Sequence, residues 1–250
     1  MNSLEALSRI RIVLSHPSHP GNVGAAARAM KTMGLGRLYL VCPKSFPDPE
    51  AWALAAGAID VLDSARVCAS LDEALAGTTL AVAMSARPRD ISHPPLEARA
   101  AAQELVRSAQ REEAALVFGN ETAGLDNDEV LKCNRLARIP VVADYASLNL
   151  AQAVQVMAYE VRLAAIGQAP DPGGVAPHAP GETARHEEVE NFHAHLERSL
   201  RASGFLDPKN PRRLMERLRR LFARARLEKE EVNILRGMLS AWDQGNRDKK

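Results

Sequence analysis

Apolar runs of four to six residues alternate with longer amphipathic stretches over the first two thirds of the chain. Ile10–Leu14 reads as a strand, followed by a helix over Gly24–Met33 that Gly34 stops. Leu38–Val41 is the next strand and Glu50–Gly57 a short helix. Leu80–Met84 and Ala114–Phe118 are further strands, followed by helices at Leu96–Ala109 and Asn127–Cys133. Leu136–Val141 is the last strand and Leu148–Ala165 a long helix. Strands that alternate with helices predict an α/β domain with a mainly parallel sheet. The segment from Gly167 to Gly181 holds four prolines and four glycines with almost nothing to pack, and reads as a flexible linker. Beyond it Phe192, Leu196 and Leu200 recur at helical spacing, as do Leu214, Leu218 and Leu221, then Leu235, Met238 and Trp242. The predicted organisation is an α/β domain over 1–166, a linker over 167–184 and a small all-α domain over 185–250.

Charge changes this picture. The net charge of +1 conceals a division: residues 1–184 carry 16 Lys+Arg against 20 Asp+Glu, a net of −4, and residues 185–250 carry 16 against 11, a net of +5. Between 209 and 226 stand eight cations and the single anion Glu216. Such a segment points to a polyanion partner. With Leu214, Met215, Leu218, Leu221 and Phe222 taken as a buried stripe, Arg213, Arg217, Arg220 and Arg224 align along one exposed ridge suited to phosphates.

No apolar stretch approaches the roughly 20 residues of a spanning helix. The N-terminal residues do not read as a signal peptide, so a cytoplasmic protein without a membrane partner is expected. Cys42, Cys68 and Cys133 are odd in number and far apart, as expected of buried thiols in a reducing compartment. No Cys/His spacing suggests a metal, and His193 and His195, two apart on a helix, face apart.

In α/β sheets ligands bind at the carboxyl ends of the strands. The loop after the first strand, Ser15 to Arg28, has neither a GxGxxG fingerprint nor a phosphate-binding GxxxxGK[ST] loop, which argues against dehydrogenases and P-loop hydrolases. It contains Asn22-x-Gly24-x-x-x-Arg28. Later come Phe118-Gly-x-Glu121-x-x-Gly-Leu125 and Ser147-Leu-Asn149-Leu-x-x-Ala153. These three segments, in this order and each at a strand-to-loop junction, resemble the motifs of the SpoU/TrmH branch of the SPOUT RNA methyltransferases, over about residues 8–166. The linker and helical tail resemble the TrmJ type within that branch.

The resemblance implies a sheet whose C-terminal part is threaded into a trefoil knot. It also implies S-adenosylmethionine as methyl donor and 2′-O-ribose methylation of a tRNA, at nucleotide 32 of the anticodon loop. Carried over, the donor pocket comprises Met84, Ser85, Ala86, Gly119, Ile139, Ala146, Ser147 and Leu148, where small or apolar side chains let backbone groups approach the ligand. Arg28, Glu121, Ser147 and Asn149 take the catalytic positions, and Asn22 with Arg213, Arg217, Arg220 and Arg224 hold the RNA. Arg28 is read as binding a phosphate and stabilising charge on the 2′-oxygen, because an arginine pKa above about 12 makes it a poor base. Glu121 is read as ordering the pocket or Arg28. The family implies a homodimer in which the arginine of one subunit serves the donor held by the other, and no metal requirement. Two other readings stand beside this one: a ribosomal RNA 2′-O-methyltransferase, and a non-catalytic RNA-binding protein of the same fold.

Overall fold

The computed structural model describes residues 4–87, 94–145, 147–167 and 181–247. It divides into two compact units, Met1–Gly173 and Gly174–Lys250. The first is built on seven strands: β1 (Ile10–Ser15), β2 (Arg37–Val41), β3 (Arg66–Cys68), β4 (Thr78–Met84), β5 (Leu96–Glu97), β6 (Glu113–Phe118) and β7 (Arg135–Arg138). Their order is β3-β2-β1-β6-β4-β7-β5, and every neighbouring pair is parallel.

The central strands are apolar on both faces, as buried parallel strands must be. On β1, Ile10, Ile12 and Leu14 enter one core and Val13 the other; on β6, Ala114, Leu116 and Phe118 alternate in the same way with Ala115 and Val117. The first core is covered by α1 (Pro20–Thr32), α2 (Pro49–Ala55), α5 (Ala98–Ala109) and α7 (Leu150–Gly167); the second lies under α4 (Leu71–Leu75) and α6 (Asn127–Leu131). Arg11 is buried mid-strand because Glu113 holds its guanidinium, Ala74 O accepts from it at 2.8 Å, and the Tyr39 ring lies beneath it.

The structure differs from the periodicity reading in several places. The first helix begins at Pro20, not Gly24, since proline at the first helical position has no N–H to leave unpaired. The stretch between Gly57 and Leu80 holds α3 (Ile59–Asp63), β3 and α4. These elements are three to five residues long, too short for a period to show. The last strand ends at Arg138, and Val141 and Val142 are exposed. Cys42 is exposed where a buried thiol was expected; Cys68 and Cys133 are buried.

Of the expected linker 167–184, residues 168–180 lie outside the described residues. The described part of the helical unit begins with residues 181–184, where Ala184 donates to Leu227 O and Thr183 bridges Glu228. It contains α8 (His186–Ala202), α9 (Leu214–Ala225) and α10 (Lys229–Arg247), packed around Phe192, Leu196, Leu200, Val232 and Leu239. Met238 and Trp242 are exposed rather than core. His193 and His195 do face apart: His193 lies beside Glu190, and His195 meets Asp243 at 3.0 Å. Among the described residues no helix is long and apolar enough to cross a membrane.

Candidate active site at the carboxyl ends of the central strands

α1 leaves β1 toward one face of the sheet, and α6 follows β6 on the other. Because β1 and β6 are neighbours, a crevice opens beyond their carboxyl ends, the general position of ligand sites in such sheets. The first and second motifs occupy the two sides of this crevice.

Their junction is the Glu121 carboxylate. It accepts from Ser18 N at 2.9 Å, Ser18 Oγ at 2.7 Å, His19 N at 3.2 Å and Asn22 Nδ2 at 3.0 Å. A carboxylate from one loop thereby binds the backbone N–H groups of Ser18 and His19 just before α1, with the helix dipole in its favour. The third motif joins through Asn149, whose Nδ2 donates to Asn22 Oδ1 at 2.8 Å. Asn149 Oδ1 also accepts from Ala151 N and Gln152 N, so the residue caps α7 as well. The chain Asn149→Asn22→Glu121 ties three segments, far apart in sequence, into one network.

Burial alone would raise the Glu121 pKa, but the hydrogen bonds from Asn22 and Ser18 outweigh it and hold the group at about 2. A carboxylate so engaged is a poor proton acceptor at neutral pH, and its role here is to order the loop after β1. Its partners are Ser18, His19 and Asn22, not Arg28. A group with a lowered folded-state pKa contributes stability above its unfolded value, near 4.3, which is lost as pH falls toward about 2. Glu121→Gln should therefore lose about 1 kcal/mol at pH 7, below the roughly 1.5–3 kcal/mol of a hydrogen bond to a charged group because solvent screens this half-buried carboxylate. Its stability should also fall less steeply between about pH 4.3 and 2. Urea unfolding at several pH values measures both, and superimposable wild-type and variant curves would reject the role.

The motif glycines serve the same loops. A Cβ on Gly119 would lie 2.1 Å from Leu125 N and 2.2 Å from Gly124 C, so this position is reserved for glycine by the closure of its own loop. Asn120 shapes that loop: its Oδ1 accepts from Thr122 N and Ala123 N, and its Nδ2 donates to His16 O at 2.7 Å. A Cβ on Gly24 would sit 2.0 Å from Ala51 O, so Gly24 lets α1 and α2 pack closely.

Met84 at the end of β4, Gly119 just past β6 and Ile139 just past β7 lie on three adjacent strands, β6-β4-β7. Met84 is buried, Ile139 half-buried, and Ala86, Ser147 and Leu148 are exposed. The Ser85 N–H is spent on Ala137 O at 3.0 Å, which leaves that residue's carbonyl for a ligand. Ala146 lies outside the described residues. Apolar side chains beside strand-end backbone groups suit an aromatic heterocycle with polar edges, so these residues fit an adenosyl group. Arg28 stands apart. It is exposed on α1, six residues beyond Asn22 and so on a different helix face, and its guanidinium forms no hydrogen bond among the described residues.

In the helical unit the basic ridge is modified. Arg217 and Arg224 are exposed and Arg220 half-exposed on α9, but Arg213 precedes the helix in a left-handed conformation (φ 56°). Leu221, expected in the buried stripe, is 47% exposed between the arginines. Arg219 is withdrawn into a two-pronged pair with Glu190 at 2.6 and 2.9 Å. The sequence pattern did not single out Ser18, His19 and Asn120. The first two stand directly before a helix-starting proline, which marks a helix N-terminus.

Residues 9–159 match a family model described as the SpoU rRNA Methylase family, and residues 187–250 match one described as the tRNA methyltransferase TrmJ, C-terminal domain. The chain is 48% identical, over 97% of its own length and the whole of the relative's, to a tRNA (cytidine/uridine-2′-O-)-methyltransferase TrmJ of Klebsiella pneumoniae. The crystal structure of TrmJ from Z. mobilis ZM4 is similar with a TM-score of 0.81 at 34% identity, covering 93% of this chain and 98% of that one. A probable methylase family protein from Haemophilus influenzae Rd KW20 aligns at 42% identity over 98% of this chain and 100% of that one, with a TM-score of 0.62.

Proposed function

Because the chain belongs to the SpoU rRNA Methylase family and carries a TrmJ-type C-terminal domain, we propose that it transfers a methyl group from S-adenosylmethionine to the 2′-hydroxyl of nucleotide 32 in the tRNA anticodon loop. Membership and the near full-length likeness make it a tRNA (cytidine/uridine-2′-O-)-methyltransferase. The donor, the nucleotide, the roles of individual residues, the knot and the dimer are the finer parts of the proposal. One observation carries it: the hydrogen-bonded chain Asn149→Asn22→Glu121, which brings the three motifs to one crevice.

S-adenosylmethionine, when bound, supplies an electrophilic methyl carbon on its sulfonium. The residues at the ends of β4, β6 and β7, with Ser147 and Leu148, would hold it. For transfer, the ribose oxygen would have to be aligned with that carbon, the methyl–sulfur bond breaking as the C–O bond forms and the hydroxyl proton passing to solvent water. Arg28, exposed and without a side-chain hydrogen bond among the described residues, is suited to grip the flanking phosphate and stabilise charge growing on that oxygen. Asn22, Glu121 and Asn149 fix the loops on which this alignment depends, and Ser147 is exposed beside them. Arg213, Arg217, Arg220 and Arg224 hold the RNA backbone. The division into a methyltransferase domain over 1–166 and an RNA-binding domain over 185–250 is part of the same reading, as is a cytoplasmic location beside the tRNA pool.

The homodimer is supported by an apolar stripe on α7. Val156, Tyr159, Leu163 and Ile166, at helical spacings of three, four and three, are 37%, 49%, 39% and 60% exposed. A second copy of the chain covering this stripe would also bring a second Arg28 to the assembly. Against a ribosomal RNA substrate stands the C-terminal unit, whose family and near full-length relatives are both described by tRNA.

The test is methyl incorporation into tRNA transcripts by the purified chain. Incorporation should map to nucleotide 32 and vanish when that nucleotide alone is 2′-deoxy. Incorporation that survives this replacement, or that occurs only in ribosomal RNA, would refute the assignment.

A further inference from the structure

The loop between α8 and α9 carries the most exposed aromatic side chain of the helical unit among the described residues. Phe205 is 69% exposed, whereas Phe192 and Phe222 pack edge to face in that unit with their ring centres 4.8 Å apart. The backbone on either side of Phe205 is fixed. Gly204 follows α8 with φ of 76°, a left-handed conformation that glycine adopts readily, and its N–H donates to Arg201 O at 3.1 Å. Leu206 is buried in the core of the unit, and its N–H donates to Leu200 O at 3.0 Å. Leu206 takes the core position that this loop offers, and Phe205, held between the two anchors, stays outside.

The rest of the loop is basic. From Ser203 to Arg213 it holds Lys209, Arg212 and Arg213 against Asp207, so 3 − 1 gives a net charge of +2. The three cations are exposed, and their side chains form no hydrogen bond or ion pair among the described residues. Asp207 shapes the turn: its Oδ1 accepts from Lys209 N at 2.9 Å and its carbonyl from Asn210 N at 3.1 Å. Arg212 and Arg213 follow with φ of 46° and 56°, two successive residues with side chains in the left-handed region. Such conformations cost free energy, and they concentrate at working sites. A single exposed phenylalanine is ordinary on a protein surface. One clamped outward on a short loop with three cations needs an explanation that packing does not supply.

We infer that this loop is a binding site for an unpaired nucleobase of the tRNA, which stacks on the Phe205 ring while Lys209 and Arg212 take flanking phosphates. This rests on the reading that the helical unit binds tRNA, and it adds to the arginine ridge of α9 a contact of a different kind. The cations select a polyanion, and the phenyl ring selects one with planar apolar faces. Single-stranded nucleic acid meets both demands. A phosphate contact is the same in a stem and in a loop, so the ridge cannot tell them apart. A base can reach an aromatic ring only where it is unstacked and splayed out, as in a loop or bulge. Because every base has such a face and phenylalanine has no hydrogen-bonding group, the site recognises the unpaired state and not the sequence.

The test is binding of tRNA to the full chain over a salt series. Phe205→Ala should weaken it about five- to thirtyfold, within the range for loss of one base–aromatic stack, with the log–log salt slope unchanged because no charge is lost. Phe205→Trp should bind at least as well as wild type, and Phe205→Leu, apolar but not planar, should resemble Phe205→Ala. Replacing Lys209 and Arg212 by glutamine should instead lower the slope, by about 1.5 for two phosphates no longer neutralised. On a fully paired RNA duplex, which offers no free base, Phe205→Ala and wild type should bind alike. Matching far-UV circular dichroism and unchanged affinity for S-adenosylmethionine report that both units of each variant are intact. A Phe205→Ala protein with wild-type affinity for tRNA at every salt concentration would overturn the inference. So would Phe205→Leu binding like wild type, or an equal loss on duplex and tRNA, since the ring would then act as an apolar contact and not as a base platform. If wild type itself neither binds nor methylates tRNA, the functional reading fails instead, so the two failures are distinguishable.

Discussion

Arg28→Ala is expected to lower the single-turnover rate of methyl transfer by about 10²- to 10³-fold, the usual loss when one group stabilising transition-state charge is removed. Affinity for S-adenosylmethionine should stay unchanged. The position of the side chain makes this separation possible. Arg28 is exposed, forms no side-chain hydrogen bond among the described residues and takes no part in the Asn149→Asn22→Glu121 network. Its removal therefore leaves the loops in place, so a reduced rate reports on the substrate side of the crevice. The same variant tests the shared site. Gly119→Val must deform the second motif loop, because its Cβ alone would meet Gly124 and Leu125, and should abolish donor binding. If Arg28 acts across a dimer, mixing the two inactive proteins should restore a fraction of the activity, since one subunit contributes an intact Arg28 and the other an intact donor pocket. Calorimetry with the donor, followed by rapid-quench assays on each variant and on the mixture, measures all of this. Near-normal turnover in Arg28→Ala would remove it from catalysis, and a mixture as inactive as its components would place the whole site within one subunit.

Removing residues 174–250 should weaken tRNA binding by about two orders of magnitude at moderate salt and flatten its salt dependence, as expected when several cations that neutralise phosphates are removed together. The compact first unit should still bind the donor. Replacement of Arg213, Arg217, Arg220 and Arg224 by glutamine should reproduce much of this effect. Each phosphate no longer neutralised lowers the log–log salt slope by roughly 0.7–0.9, so four give a change of about three. Arg219 is left in place because its pair with Glu190 belongs to the packing of α8 against α9. The hydrogen bonds of His193 and Arg219 hold the Glu190 carboxyl well below the usual carboxylate range despite its burial. If both altered proteins bound tRNA like the full chain across a salt series, the ridge would be a solvated helix face and recognition would lie in the first unit.

The alternation of apolar runs with amphipathic stretches made the α/β character of the first unit readable, since buried parallel strands and their covering helices impose different periods. The motifs are readable through their resemblance to a known family, whereas their residue types, Asn, Glu, Ser and Gly near strand ends, are also those that turns, caps and close backbone approach demand. For the same reason their tasks were ambiguous. Asn149 both caps α7 and bonds Asn22, and neither task is visible without the other element in place. Gly119 looked like a residue kept small for a ligand, whereas the nearest obstruction to a side chain is its own loop.

What the sequence determined by itself was local and compositional: the strands and helices long enough to show a period, the division of charge between the two units, and three motifs in order. Only the tertiary structure decided which residues meet. Glu121 is remote in sequence from Ser18 and Asn22, and its lowered pKa exists only because neighbouring parallel strands β1 and β6 set those loops side by side. The short elements α3, β3 and α4 and the exposure of Phe205, Leu221 and Met238 likewise depend on which surfaces other elements cover. A hydrophobic period records that a residue can be buried, and long-range packing settles whether it is.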